Sequence, residues 1–67
     1  MKKPKVGSVY AKNGLEFEVH RVANGQVYGA MWRPGEETTT LGILLETRLR
    51  RCTLADFWEE GAKEVQP

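Results

Sequence analysis

Apolar and polar residues alternate through the first half of the chain, and the alternation is interrupted twice by Asn-Gly, at Asn13-Gly14 and Asn24-Gly25. Each dipeptide lies between short runs of β-formers, and both of its positions tolerate the positive φ that a type I′ hairpin turn requires. The spacing therefore predicts a meander of three strands. Counting outward from Asn24-Gly25 pairs Ala23 with Gln26, Arg21 with Tyr28, Val19 with Ala30 and Phe17 with Trp32. The same count places Glu16 opposite Arg33 and Glu18 opposite Met31. Counting from Asn13-Gly14 pairs Tyr10 with Phe17 and Ser8 with Val19. On this register the inner face carries Val6, Tyr10, Leu15, Phe17, Val19, Tyr28, Ala30 and Trp32. Val9, Val22, Val27, Met31 and Leu44 then point outward.

Arg33-Pro34-Gly35-Glu36 ends the third strand, since proline donates nothing to a ladder and glycine supplies a turn. From Thr39 onward, Leu41, Ile43, Leu45 and Leu49 alternate with polar positions, the pattern of one long bent strand or two short ones. Leu41, Leu44, Leu45, Leu49 and Cys52 also fit helical spacing, although the threonine run and Gly42 weaken that alternative for residues 38–52. A helix over 54–65 follows. Thr53 is a good N-cap, Asp56 stands at the third helical position, and Cys52 with Phe57 has the spacing of a hydrophobic staple. Leu54, Phe57, Trp58, Ala62 and Val65 form one apolar stripe. Gly61 lies within it and either ends the helix early or permits close packing.

These elements amount to a single mainly β domain spanning residues 1–67: a small bent antiparallel sheet or SH3-like barrel of about five strands, with a C-terminal helix and a flexible basic start at residues 1–5. Val6-Gly7-Ser8-Val9-Tyr10, Phe17-Glu18-Val19, Val27-Tyr28-Gly29 and Thr53-Leu54-Ala55-Asp56-Phe57-Trp58 carry a resemblance to SH3-like small barrels. More loosely, the chain resembles small accessory proteins encoded by phages and mobile elements. What the resemblance implies is a compact scaffold whose loops and strand faces bind partners, as one barrel architecture hosts many functions.

Composition sharpens this picture by exclusion. With 67 residues and one cysteine, no intramolecular disulfide or cysteine-paired zinc site can staple the core, so packing must hold the fold. No signal-peptide or membrane-spanning pattern is present, which places the expected location in the cytoplasm. The net charge of +1 is small but uneven. Lys2, Lys3, Lys5, Arg48, Arg50 and Arg51 are basic clusters, and Asp56, Glu59, Glu60 and Glu64 make the last segment acidic.

Candidate chemistry is sparse. His20 shares a strand face with Glu16 and Glu18, the ordinary product of a solvated strand, and one histidine gives no metal set. Cys52 beside Arg50 and Arg51 reads as a packing residue ahead of a helix. The glycines form no phosphate-cradling motif. No enzyme, cofactor or metal is therefore expected. The leading expectation is a non-catalytic interaction module, of the kind of a phage accessory or inhibitor protein, that meets a protein partner or its own copy through Met31, Arg33, Glu36 and Glu37. The alternative is a nucleic-acid-binding barrel using Arg48, Arg50, Arg51, Lys2, Lys3 and Lys5. The inward placement of Tyr28 and Trp32 argues against that alternative, because it leaves no surface on which bases stack.

Overall fold

A computed structural model describes residues 2–35 and 48–65. Strands β1 (Val9–Lys12), β2 (Leu15–Ala23), β3 (Gln26–Trp32) and β4 (Leu49–Thr53) are followed by helix α1 (Leu54–Glu59) and a two-residue strand, β5 (Lys63–Glu64). The strands make one antiparallel sheet in the order β4-β3-β2-β1-β5, which is not closed among the described residues. The chain is thus mainly β with a short C-terminal helix, the antiparallel sheet of about five strands that the sequence predicts.

Both Asn-Gly corners form as the sequence predicts. Asn13 and Gly14 have φ of 55° and 77°, and Asn24 and Gly25 have 53° and 72°, the doubly left-handed combination of a type I′ turn. Tyr10 lies opposite Phe17, and Ala23, Val22 and Arg21 face Gln26, Val27 and Tyr28. Beyond Arg21 the expected register fails. A bulge between Val19 and Arg21 leaves His20 without a cross-strand partner, so Val19 meets Gly29, Phe17 meets Met31 and Glu16 meets Trp32. One extra residue exchanges the faces of everything beyond it.

The core shows the consequence. Tyr10, Phe17, Val19, Val27 and Phe57 form the buried cluster, with Val22, Met31, Cys52, Leu54, Trp58 and Ala62 packed against it. Val22, Val27 and Met31, expected outside, therefore belong to the inner side. Tyr28, Ala30 and Trp32, expected inside, lie on the outer face, and Val6 is exposed. Full burial of Phe17, Phe57, Val19 and Val27 is worth roughly 1.5–3 kcal/mol for each side chain. Tyr10, Phe17 and Trp58 all meet the Phe57 ring edge-to-face, with centroids 4.9–5.8 Å apart, the arrangement favoured by the aromatic quadrupole.

The strand reading of the 38–52 stretch holds for Leu49–Thr53, and residues 38–47 up to Thr47 lie outside the described part. Thr53 caps α1 as expected, its Oγ1 accepting from the Asp56 amide at 3.1 Å. The helix stops at Glu59 rather than reaching 65. Gly61 adopts φ 81° and donates to the Trp58 carbonyl, the left-handed turn that satisfies the last helical carbonyls. The chain then reverses, and Lys63 and Glu64 pair with Ala11 and Tyr10.

The basic start makes contacts with the rest of the chain. Pro4 is buried, the Trp58 indole donates to the Lys2 carbonyl at 2.7 Å, and the Lys5 amide donates to the Tyr10 hydroxyl at 2.9 Å. No described helix is long and apolar enough to cross a membrane.

Candidate functional site

The bulge turns the outer face of the sheet into the most distinctive surface of the molecule. Its alternating positions are Val9 and Ala11 on β1, Glu16 and Glu18 on β2, Tyr28, Ala30 and Trp32 on β3, and Leu49 and Arg51 on β4. Trp32 is half-buried, and its indole N–H donates to the Glu16 carboxylate at 2.9 Å. That bond fixes the ring and satisfies its polar edge while leaving apolar surface to contact another molecule. Beside it lies a cleft of about 480 Å³ lined mainly by Gly7, Val9, Glu16, Trp32 and Val65. This volume falls within the roughly 300–1,000 Å³ of typical ligand and anchor pockets.

A second feature lies at the β4 side of the same face. Arg21 and Arg51 are the cross-strand partners of Tyr28 on its two sides. The Arg21 guanidinium sits 4.4 Å from the Tyr28 ring centroid, a cation–π contact. Ala30, between Glu18 and Leu49, is fully buried, and Leu49 is exposed.

Two of the residues expected to bind protein lie within the described part. Met31 packs against the core, and Arg33 is exposed at the end of β3. Both line a shallow depression of about 190 Å³ with Leu15, Arg48 and Arg50, while Glu36 and Glu37 lie outside the described residues. The basic residues of the nucleic-acid alternative are divided. Arg50 and Arg51 stand on β4, at one end of the strand order, whereas Lys5 pairs with Glu64 of β5 at the other end, at 3.8 Å. Lys2 and Lys3 are exposed in the segment docked on α1.

His20 and Glu18 approach to 3.0 Å on the exposed side. Among the described residues no group of three His, Cys, Asp or Glu side chains is placed to hold a metal ion.

The sequence reading missed Lys12. It is buried, 5 % exposed, on the inner face, where its ammonium pairs with Glu60 and stands 5.5 and 5.9 Å from the Phe17 and Phe57 ring centroids. The signal was present, because the Asn13-Gly14 turn sets Lys12 opposite Leu15 and in line with Tyr10. Cys52 Sγ lies 4.0 Å from the Lys12 ammonium. Burial raises the Cys52 pKa, opposed by the Lys12 charge and supported by Glu60 and Asp56. Cys52 also packs, partly buried, against the core cluster.

Comparison with protein-family models, with curated proteins and with solved structures finds no match to this chain.

Proposed function

We propose that this chain is a non-catalytic interaction module, of the accessory or inhibitor kind suggested by its resemblance to small phage-encoded proteins, and that it docks a protein partner through the Trp32 end of its outer sheet face. The observation that carries the reading is the half-buried Trp32, fixed by Glu16 beside an apolar cleft with Val9 and Val65. Trp is enriched among residues that dominate protein interfaces, because it brings a large rigid apolar area at little conformational cost. The proposal moves the contact surface from Met31, which is committed to the core, to the neighbouring residue in sequence. Binding does not require the titratable pairs that acid–base chemistry needs, and the two carboxylates lining the cleft are engaged, Glu16 with the Trp32 indole and Glu64 with Lys5.

Affinity capture with the tagged full chain tests this. A specific protein should be retained after nuclease treatment and at high salt. Trp32→Ala should weaken that retention about 30-fold or more, the scale of an interface hot spot, while circular dichroism shows the variant folded. Retention indifferent to Trp32→Ala, or lost on nuclease treatment, would reject the reading.

A further inference from the structure

We propose that the corner of the outer face around Tyr28 is a second site, one that binds single-stranded nucleic acid. Tyr28 stands between Arg21 and Arg51, its cross-strand partners on either side, and the Arg21 guanidinium lies over its ring at 4.4 Å. Tyr28, Leu49 and Arg51 line an open cleft of about 480 Å³ at whose rim lies Arg50, which pairs with Gly29 on the other side of β4 and donates to the Leu49 carbonyl at 2.7 Å. All three arginines are exposed. Among the described residues none of the three forms an ion pair with a carboxylate. Arg21 and Arg51 thus put two cationic side chains on either side of one ring with no carboxylate between them, and a phosphodiester chain supplies the missing negative charge.

The ring decides between anions. An acidic polypeptide would use the Arg21 and Arg51 charges but gain little from Tyr28, whereas a base stacks on an aromatic face or on a guanidinium plane. The rest of the face sets the path. Glu16 and Glu18 occupy β2 opposite Trp32 and Ala30, so phosphates are confined to the Tyr28 end of the face, between Arg21 and Arg51. A second strand would cross those carboxylates, which selects single strands over duplex. The site needs only the strand pairing near the Asn24-Gly25 turn and owes nothing to the Trp32 cleft.

The test is fluorescence anisotropy of a labelled oligothymidine against the full chain at low ionic strength, repeated over a salt series. Binding is expected to fall with a log–log salt slope of about −1.4, because each of the two phosphates neutralised by Arg21 and Arg51 on a single strand contributes roughly −0.7. Arg51→Ala and Arg21→Ala should each reduce that slope by about 0.7. Tyr28→Leu, which retains an apolar side chain and tests folding separately from stacking, should weaken binding about fivefold or more. Lys63→Ala, which removes the same charge at the opposite end of the sheet, should leave affinity unchanged, and the matching duplex should bind more weakly. Absence of binding at low salt overturns the proposal, as does an equal loss in Lys63→Ala. Polyglutamate bound as tightly and with the same sensitivity to Arg51→Ala, but indifferent to Tyr28→Leu, would reassign the corner to an acidic protein.

Discussion

Gly29 shows how much a single position controls. On the inner face opposite Val19, it leaves a gap into which a Cβ would bring contacts of 1.9 Å with the Glu18 carbonyl and 2.7 Å with the Phe17 ring. The nearer atom is backbone and cannot rotate away, so Gly29→Ala should destabilise the fold by about 3 kcal/mol, the upper range for overpacking, as measured by urea denaturation. Lys12 is a costlier choice than an apolar residue in its place. Its ammonium is desolvated, and Glu60, with a side chain 38 % exposed, is its counter-ion. Removing that partner strands a buried charge, so Glu60→Ala should cost about 1–3 kcal/mol, below the 3–5 of a fully buried pair because Glu60 sits at the rim. Lys12→Met should be neutral or stabilising in the same assay. Cys52 adds a pH dependence whose sign follows from its raised pKa. Above the ordinary thiol range of roughly 8.5, the unfolded chain ionises this group before the folded chain does. The unfolded state then holds fewer protons, and stability falls with rising pH. Cys52→Ser should flatten that part of a stability–pH profile.

At the scale of elements, the bulge in β2 is the decisive irregularity. It inserts His20 between Val19 and Arg21, and His20 itself is exposed. Substitution and deletion should therefore differ sharply. His20→Ala should leave stability within about 0.5 kcal/mol, as surface changes generally do. Deleting His20 forces either Phe17 or Tyr28 onto the wrong face of the sheet, and the expected outcome is loss of the cooperative unfolding transition. Most of the elements were legible from residue chemistry. The Asn-Gly corners and the Thr53 cap follow from local rules that do not depend on the rest of the molecule, whereas Leu49–Thr53 was legible only as a preference for strand over helix, which pairing with β3 decides. Gly61 was legible only as a choice between ending the helix and packing within it. Its left-handed φ ends the helix, and the pairing of Lys63 and Glu64 with β1 explains why the acidic tail is not a helical face.

The sheet has two faces with different surroundings, one packed on the helix and one turned outward. Phe17 and Phe57 are fully buried between sheet and helix, and truncating a buried Phe to Ala costs roughly 3–5 kcal/mol. Against a total of about 0.05–0.15 kcal/mol per residue for a small domain, Phe57→Ala should unfold much of the population, as followed by near-ultraviolet circular dichroism. Arg51→Ala on the outer face should leave the same signal intact while changing ligand binding. By itself the sequence determined the turns, the cap and the meander, because φ preference and capping act within a few residues. It also determined that the core had to be built by packing alone, since one cysteine provides no cross-link. Which face each β3 residue takes was decided only in three dimensions. The turn count held as far as Arg21, and the missing Cβ of Gly29, seated against Phe17 and Glu18, is a constraint between strands that alternation along one strand does not contain. The candidate site moved with that one residue of register: Met31 joined the core, and Tyr28 and Trp32 came to the surface.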